Sequence, residues 1–476
     1  MLEAHEVAVV RAAEAVVLDR SPEDSLMRRA AFGLATVVLA ELARRCGSTS
    51  GRHVVLLVGA GGNGGDALWA GTFLRRRGVA VTAVLLVPER AHSVGLAALL
   101  KAGGQLGDAA ALSGADLVVD GIVGLSARGG LRPDAAALVA AVQAPIIAVD
   151  LPSGVDPDTG AVSGAAAKAA VTVAFGARKP VHLLAAGRCG RVVLVPLGLE
   201  LPDATLRSLQ RCEVGALWPV PGPDDDKYTQ GVVGIAAGSA EYPGAAVLCT
   251  AAAVAATSGM VRYAGTGREA VLAQWPEVVA VDDIADAGRV QAWALGPGLG
   301  TGDACVAAVE HAFAAGVPVL VDADGITTLA QRPELLDAPH GPLLLTPHAG
   351  EFARLTGAKP GADRVADVRA AAQRFGATVL LKGATTVIAA PDGSVLVNSA
   401  PGSWAATAGS GDVLSGVVGA LLAAGLDPLT AAGAGSHVQP LAAELAADGA
   451  PTSASQLIRQ LPAAIRRVRR VADGQR

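Results

Sequence analysis

The sequence predicts an α/β protein of two domains, each a three-layer sandwich in which helices cover both faces of a mostly parallel sheet. At 476 residues the chain is longer than one compact core usually organises. Hydrophobic residues make up 51%, aromatic residues only 3%, and glycines number 59, so Ala, Val and Leu must build the core between many tight turns. Short apolar runs also alternate with helical or glycine-rich stretches along the chain.

Two helices are predicted before the first strand, because apolar residues recur at helical spacing over 2–17 and 26–45. Strand-like apolar runs then follow in the N-terminal half. They lie at 53–58, 79–87, 117–119, 146–149, 171–175 and 192–195. Their alternation with helical stretches predicts the first mostly parallel sheet.

The alternation stops between about residues 198 and 228, where prolines and an acidic run at 224–226 are typical of a linker or an entry loop. We place the domain boundary near residue 212, which gives domains 1–212 and 213–476. Strand-like runs then return, followed by a long helical tail rich in Ala, Leu and Gly from Gly411. The runs lie at 232–236, 278–281, 292–295, 317–321, 343–345, 379–381 and 387–389.

Charge and cysteine usage exclude several classes of partner. The net charge is -5 with both signs spread along the chain, so no footprint for nucleic acid is present. The five cysteines form no CxxC pair and are typical of reduced thiols. An acidic N-terminus and the lack of an apolar run of about 20 residues predict a cytoplasmic protein without a membrane partner. The oligomeric state is open, and a homo-oligomer is one alternative.

A glycine-rich turn at 407–412 has the sequence Thr-Ala-Gly-Ser-Gly-Asp and opens a predicted helix. Glycines let the backbone approach an oxyanion closely, and the first amides of a helix bind anions. Asp412 stands where it could take a proton from a hydroxyl that attacks phosphorus. The alternative is that Asp412 only caps the helix amides.

Other loops in the same half follow strands. The segment 382–386 combines a lysine, a glycine and two threonines, which suits the ribose and phosphates of a nucleotide. The segments 296–300 and 346–351 also follow strands, and ligands of open α/β sheets bind beyond the carboxyl ends of strands. We therefore expect these loops to share a pocket, although His348 has the alternative role of an ordinary helix cap.

Together with 238–239, 242–245 and 322–324, these motifs resemble the NAD(P)H-hydrate dehydratase branch of the ribokinase-like superfamily, from about residue 227 to the end of the long helix. The resemblance implies a ribokinase-like three-layer sandwich that uses ADP and Mg²⁺. ADP phosphorylates the 6-hydroxyl of a hydrated nicotinamide, and phosphate then leaves, with Asp412 as the base. By resemblance, the residues at the hydrated dinucleotide are Ala245, Gly298, His348 and Asp412. Those at the nucleotide are Lys382, Gly383, Ala384, Thr385, Thr386 and Gly411.

The N-terminal half has its own glycine-rich loop at 59–66, directly after the strand predicted at 53–58. Its first six residues satisfy the pattern GxGxxG, which makes a dehydrogenase the obvious rival. That fingerprint needs an acid closing the second strand to hold a ribose. Glu89, behind Pro88, is only a loose match, so the pattern alone is weak evidence.

Polar oxygens also follow several strands of this half. Asn63 lies in the loop, Asp120 and Asp150 end strands, and Ser153 follows Asp150. Amide, carboxylate and hydroxyl oxygens are ligands that a hard cation selects, which leaves Asp150 as a candidate proton carrier. The alternative is that each residue is a cap or a turn residue.

These segments, with 175–180 and 193–198, resemble the NAD(P)H-hydrate epimerase domain over about residues 1–212. The resemblance implies a Rossmann-like three-layer sandwich in which Asp150 interconverts the R and S forms of the hydrate. It implies potassium (K⁺) at Asn63, Asp120 and Ser153. It also implies substrate contacts at Gly62, Asn63, Gly64, Gly65, Asp66, Gly124, Leu125, Ser126, Ala127, Arg128, Gly129, Gly130 and Asp150.

Three features depart from the epimerase pattern. Gly62 stands where the family has a second asparagine, Ala67 stands where it usually has a glycine, and the turn at 124–129 is modified. Lost glycine freedom at position 67 is expected to shift the loop.

The two resemblances together predict one chain that repairs NADHX and NADPHX, epimerising the R and S forms and dehydrating the S form at the expense of ADP. A rival reading is a ribokinase-like kinase for a vitamin or a sugar, because fold alone does not fix the substrate. In that reading the N-terminal half is a non-catalytic dinucleotide-binding module. A third reading makes the N-terminal half a non-catalytic module that binds a dinucleotide or a partner and is attached to an active second domain.

Overall fold

The computed structural model describes residues 1–20, 22, 24–125, 129–257, 259–400 and 402–474. Contact density divides the chain into two compact units, one of Glu3–Thr205 and one of Met1–Leu2 with Leu206–Arg476. The domain limits 1–212 and 213–476 stay a prediction. Among the described residues, no helix is both long and apolar enough to cross a membrane.

The N-terminus differs from the prediction of a helix over 2–17. The chain begins with a short strand, β1 (Leu2–Ala4), and the first helix, α1 (Val7–Asp19), starts later. The amide of Val7 donates to the Asp158 carboxylate at 2.8 Å, so a residue distant in sequence caps this helix. A local apolar pattern does not contain that contact, and the predicted start was therefore wrong.

The N-terminal unit is a seven-stranded parallel sheet in the order β4-β3-β2-β5-β6-β7-β8. Its strands are β2 (His53–Val58), β3 (Ala80–Leu85), β4 (Gln105–Gly107), β5 (Leu117–Gly121), β6 (Ile146–Val149), β7 (Val171–Phe175) and β8 (Arg191–Val195). Its further helices are α2 (Ser25–Cys46), α3 (Gly62–Arg75), α4 (Ser93–Lys101), α5 (Pro133–Ala141), α6 (Val181–Leu184) and α7 (Ala186–Cys189).

Strand β2 shows why helices must cover both faces of this sheet. Val54 and Leu56 belong to the core that α2 and α3 complete. Val55 and Leu57 point the other way and pack with Ala135 of α5. Alternate residues of a strand face opposite sides of the sheet, so a strand that is apolar throughout needs a layer on each side.

The second unit contains an eleven-stranded sheet in the order β1-β9-β18-β17-β16-β15-β14-β13-β10-β11-β12. Its strands after β1 are β9 (Leu206–Ser208), β10 (Val232–Ala236), β11 (Met260–Ala264), β12 (Val279–Val281), β13 (Ala292–Leu295), β14 (Val319–Val321), β15 (Leu343–Leu345), β16 (Thr378–Leu381), β17 (Thr385–Ala389) and β18 (Val395–Ser399). From β12 to β16 the strands run parallel, whereas β17 is antiparallel to both of its neighbours.

Ten helices among the described residues complete this unit. They are α8 (Arg211–Leu217), α9 (Pro243–Ala256), α10 (Arg268–Gln274), α11 (Asp303–Ala314), α12 (Ala323–Gln331), α13 (Ala349–Thr356), α14 (Arg364–Phe375), α15 (Ser410–Ala423), α16 (Pro428–Ala447) and α17 (Ala454–Asp473). Helices α9, α15, α16 and α17 share one core with alternate strand residues, and α14 packs against β16 and β17.

Two predictions for this half were incomplete. The stretch over 198–228 that was interpreted as a linker contains β9 and α8, and the predicted boundary at residue 212 falls inside α8. Strand β9 is only three residues long, and Leu206 pairs with Val395 of β18 far along the chain. Such a strand depends on a distant partner, so local apolar patterning does not reveal it.

Candidate active sites

The N-terminal sheet places its site where the strand order reverses. Strands β3 and β5 flank β2 on opposite sides, and such a switch point opens a crevice at the carboxyl ends of the strands. A cavity of about 810 Å³ lies there. The predicted substrate residues that line it are Gly62, Asn63, Asp66, Gly124, Leu125, Gly129, Gly130 and Asp150.

Two other predicted residues of this site, Gly64 and Gly65, are described by the structure but do not line the cavity. A Cβ on Gly64 would lie 2.2 Å from the carbonyl oxygen of Gly59, so this glycine permits close packing of the loop on the helix. Gly65 faces Met27 and His92 instead. Ser126, Ala127 and Arg128 lie outside the described residues.

Asp150 directly follows β6 in a left-handed conformation, with φ of 64°, and is 3% exposed. Its Oδ1 accepts hydrogen bonds from the Phe175 amide at 3.0 Å and from Nζ of the fully buried Lys179 at 2.5 Å. The Lys179 ammonium also donates to the Phe175 carbonyl at 2.8 Å. The candidate acid/base is therefore held in one orientation by a buried cation.

His182 fixes the backbone of the same residue. Its Nδ1 accepts from the Lys179 amide at 2.9 Å, which leaves Nε2 to donate to the Asp150 carbonyl at 2.7 Å. Burial, followed by the nearby Lys179 charge, lowers the pKa of His182 to about 4. The ring is therefore neutral near pH 7. The sequence prediction missed both Lys179 and His182, and the only signal was their position in or next to the matched segment 175–180.

The residues predicted to bind K⁺ lie together at this edge. Ser153 donates from Oγ to Oδ1 of Asp120 at 2.6 Å and from its amide to Oδ2 at 2.9 Å. The Asn63 amide group donates to the carbonyls of Val123 and Val149 at 3.1 and 2.6 Å. Val123 in turn donates its amide to Ser153 Oγ at 3.2 Å. These groups supply only oxygens as ligands, which suits a hard cation.

The C-terminal sheet gathers its glycine loops in the same way. Gly409 caps α15 with φ of 80°, and Asp412 lies in the first turn of that helix. Burial, followed by the Asp322 charge, raises the pKa of Asp412 to about 6, while Lys382 opposes the shift. Within the part of the chain that the structure describes, no hydrogen bond reaches the Asp412 carboxylate, so it does not serve as a helix cap.

Asp322 joins three segments of the C-terminal site. Its Oδ1 accepts from Lys382 Nζ at 2.5 Å, and its Oδ2 accepts from Ser415 Oγ at 2.7 Å. A Cβ on Gly411 would lie 3.4 Å from Lys382 Nζ, so this glycine leaves the ammonium accessible to a ligand at the helix N-terminus. The sequence contained the motif 322–324 but did not indicate this contact.

The residue after Asp322 is strained. Ala323 has φ of 48°, a left-handed conformation that is unusual for a residue with a Cβ atom. The turn that it makes sends Asp322 toward Lys382 and lets Asp324 Oδ2 accept from the Gly300 amide at 2.9 Å. With this strained backbone, the carboxylates of Asp322 and Asp324 contact two different loops of one site.

The other predicted residues of the C-terminal half fall into two groups. Gly298 has φ of 66° and adjoins Ala245, because a Cβ on this glycine would lie 2.8 Å from the Cβ of Ala245. His348 caps α13, with Nδ1 accepting from the Gly350 amide at 2.9 Å, and its side chain is 55% exposed. The capping alternative for His348 is therefore what the structure shows, and its contact with a substrate stays a prediction.

The nucleotide segment lies beside these loops. The Lys382 amide donates to the Pro347 carbonyl at 2.9 Å, which connects it to the loop that carries His348. Gly383 faces the Arg364 guanidinium, since a Cβ there would lie 2.9 Å from it. Ala384 precedes β17, and Thr385 and Thr386 begin that strand. The contact of these residues with a nucleotide stays a prediction.

The chain has two open α/β sheets, a ligand crevice at a switch point and a lysine beside a glycine-rich helix start. Together these features define a class of two-domain enzymes that bind nucleotides. Residues 23–181 match the model of the family described as YjeF-related protein N-terminus, and residues 233–463 match that of NAD(P)H-hydrate dehydratase. The chain belongs to the family of bifunctional NAD(P)H-hydrate repair enzymes.

Relatives of similar length carry this name. The bifunctional NAD(P)H-hydrate repair enzyme Nnr of Mycobacterium tuberculosis is 60% identical over 425 residues, which cover 89% of each chain. The enzyme of the same name from Mycobacterium leprae is 56% identical over 469 residues, which cover 97% of this chain and 98% of the relative. Both halves of the chain are thus included in the match.

Solved structures resemble the C-terminal half. The ADP/ATP-dependent NAD(P)H-hydrate dehydratase from Bacillus subtilis, co-crystallized with ATP and Mg²⁺, is 30% identical with a TM-score of 0.50, covering 55% of this chain and 98% of that one. A ribokinase-like superfamily protein from Enterococcus faecalis is 20% identical with a TM-score of 0.51, covering 56% and 98%, and supports the fold alone. The predicted fold class is confirmed.

Proposed function

We propose that this chain repairs hydrated nicotinamide dinucleotides with two activities. The N-terminal site interconverts the R and S forms of NADHX and NADPHX. The C-terminal site dehydrates the S form to NADH or NADPH at the expense of ADP. The observation that carries the proposal is the environment of Asp412, which lies beside the Lys382–Asp322 pair at a helix N-terminus. Its carboxylate has a pKa of about 6 and accepts no hydrogen bond from any described residue.

In the C-terminal site, Asp412 is the base that removes the proton from the 6-hydroxyl of the S form. A pKa of about 6 keeps this carboxylate ionised at neutral pH while leaving it a better base than an exposed aspartate. Lys382 and the first amides of α15 bind the phosphoryl group that the hydroxyl attacks. Phosphate then leaves from C6 as the lone pair of the ring nitrogen forms a C=N bond. Loss of a proton from C5 to solvent forms the C5=C6 double bond and restores the reduced nicotinamide.

Mg²⁺ suits this site as an ion that arrives with the nucleotide. Among the described residues, no cluster of three or more His, Cys, Asp or Glu side chains forms a metal cage. Magnesium commonly binds through substrate phosphates with few protein carboxylates, and there it neutralises phosphate charge. Both carboxylate oxygens of Asp322 already accept hydrogen bonds, one from Lys382 and one from Ser415. This carboxylate therefore has little capacity left to bind a Mg²⁺ ion.

In the N-terminal site, Asp150 is the acid/base residue and K⁺ is held by Asn63, Asp120 and Ser153. Such an ion would hold the end of β5 and the loop after β6 against the start of α3, because Asp120, Ser153 and Asn63 come from these three segments. Lys179 and His182 keep Asp150 oriented toward the cavity.

The test is to supply purified protein with the mixed R and S hydrates and either ADP or ATP, and to follow the return of reduced-nicotinamide absorbance. The wild type is expected to repair both forms. Asp412→Asn is expected to repair neither, and Asp150→Asn only the S form. A stable phosphorylated product would instead favour the vitamin or sugar kinase. An Asp150→Asn chain that repairs the R form at the wild-type rate would favour a non-catalytic N-terminal half.

A further inference from the structure

The N-terminal cavity contains a second buried aspartate with an environment unlike that of Asp150. Asp66 lies in α3 just beyond its first turn, lines the cavity and is 8% exposed. Across the described stretches of the chain, neither an ion pair nor a hydrogen bond reaches its carboxyl group. Asp150, in the same cavity, accepts from both Lys179 Nζ and the Phe175 amide.

Burial and the neighbouring acidic groups favour the protonated form of Asp66. Burial raises its pKa well above the ordinary value, and the charges of Asp150 and Glu14 raise it further. Lys179 opposes the shift but donates to Asp150. One cavity thus holds a carboxyl group that favours its neutral form and a carboxylate that is bound to a cation, which is the arrangement expected of an acid and a base.

A purely structural role for Asp66 is hard to reconcile with these contacts. A structural aspartate that is buried usually accepts hydrogen bonds or pairs with a cation. Within the described residues Asp66 does neither, and an unpaired buried carboxyl group is unfavourable. Such groups are enriched where chemistry requires them.

Interconversion of the two hydrates needs two proton transfers. The hydroxyl is on C6, next to the ring nitrogen, and it leaves as water once it is protonated. The nitrogen lone pair forms a C=N bond as the C–O bond breaks, which makes C6 planar. A water molecule that adds to the opposite face, losing a proton to a base, gives the other epimer. One donor and one acceptor therefore suffice.

We propose that Asp66 is the second catalytic residue of the epimerase site and acts as the partner of Asp150. In one direction Asp66 gives its proton to the departing hydroxyl, and Asp150 takes a proton from the incoming water. In the other direction the two carboxyl groups exchange roles, and solvent restores the starting protonation. The nearby carboxylate of Glu14 stabilises the transient positive charge on the ring. This assignment rests on the proposed epimerase function.

The experiment compares the full-length wild type with Asp66→Asn on separated R and S hydrates in the presence of ADP. Repair of the S form requires only the C-terminal site and serves as the control within the same chain. We expect Asp66→Asn to repair the S form at the wild-type rate and to lose about 10²–10⁴-fold in enzymatic repair of the R form. Wild-type repair of the R form by Asp66→Asn would overturn the assignment.

Two further variants separate chemistry from folding and from general acidity. Asp66→Ala is expected to regain part of its R-form repair when formate is added, because formate can occupy the vacated position and donate a proton. A folded Asp66→Ala chain with wild-type thermal stability that does not respond to formate would contradict Asp66 as the proton donor. Glu14→Gln removes another carboxyl group of the cavity, and a larger loss there than in Asp66→Asn would make Glu14 the donor and overturn the proposal.

The same measurements distinguish failure of this inference from failure of the proposed function. A wild-type chain that repairs only the S form, with the R form converting at its uncatalysed rate, would overturn the epimerase function itself and this assignment with it. A wild type that repairs both forms and an Asp66→Asn chain that does the same would overturn the role of Asp66 alone.

Discussion

Lys382 and Asp322 form an ion pair with 2.5 Å between Nζ and Oδ1, and Asp322 is 1% exposed. Lys382→Met leaves this carboxylate buried, with Ser415 as its one remaining partner among the described residues. We expect the free energy of unfolding to fall by about 3 kcal/mol, the lower end for broken buried pairs, because the Lys382 side chain is itself 21% exposed. The KM for ADP should also rise. Denaturant unfolding and ADP titration measure both effects.

Lys359→Met, at an exposed lysine of the same unit, is the matched control and should change stability by no more than about 0.5 kcal/mol. Equal stability of the two variants would show that the pair does not stabilise the site.

The raised pKa of Asp412 predicts how the rate of S-form repair depends on pH. Its pKa is raised to about 6, so the base is ionised above that pH and protonated below it. The rate should therefore fall as pH decreases through 6, approaching about tenfold per pH unit. Asp412→Asn should lower the rate by about 10²–10⁴-fold at neutral pH and remove this limb of the profile. A wild-type rate that is constant from neutral to acidic pH would contradict Asp412 as the base.

The lowered pKa of His182 predicts that the N-terminal unit loses stability in acid. Its pKa falls from 6.5 to about 4 on folding, so the unfolded chain binds more protons between these values. The stabilisation by neutral His182 is complete above pH 6.5 and is lost as pH falls toward 4, by roughly 3 kcal/mol in total at about 1.4 kcal/mol per pKa unit.

His182→Gln retains an amide donor that does not titrate. Thermal unfolding of this variant across the same pH range should have a shallower dependence than that of the wild type. Parallel curves for the two chains would contradict a buried neutral histidine.

Potassium removal should affect one activity alone. Replacing K⁺ with a large organic cation is expected to slow R-form repair, because Asn63, Asp120 and Ser153 would lose the ion that fixes their loops. Repair of the S form should not change. Asp120→Asn should show little response to K⁺, and its S-form repair serves as the control. A K⁺ response of Asp120→Asn equal to that of the wild type would argue against this site.

The residues that sequence could place are those that follow strands. Asp120 lies next to the last residue of β5, and Asp150 directly follows β6. The carboxyl ends of parallel strands meet at one edge, so the common position of the two residues followed from the strand pattern. The loop of 59–66 was placed for the same reason. This logic needs only the order of elements and the direction of the strands.

The residues that sequence could not place act through contacts between distant segments. Lys179 reaches Asp150 across the step from β6 to β7, and Lys382 reaches Asp322 from a strand two places away in the sheet. Nothing local distinguishes these lysines from those on the surface. The start of α1 was wrong for a related reason, because Asp158, far from Val7 in sequence, caps that helix.

The strained turn at Ala323 has a consequence for how the chain would respond to selection. A left-handed alanine costs about 1–2 kcal/mol, and glycine or asparagine at this position would avoid most of that cost. A library of variants selected for heat resistance should therefore enrich such exchanges at Ala323 early. Selection for turnover should instead retain Asp322 and Asp324 on either side of Ala323. Selection for stability would thus favour exchange at one codon, while selection for activity would oppose exchange at the two codons next to it.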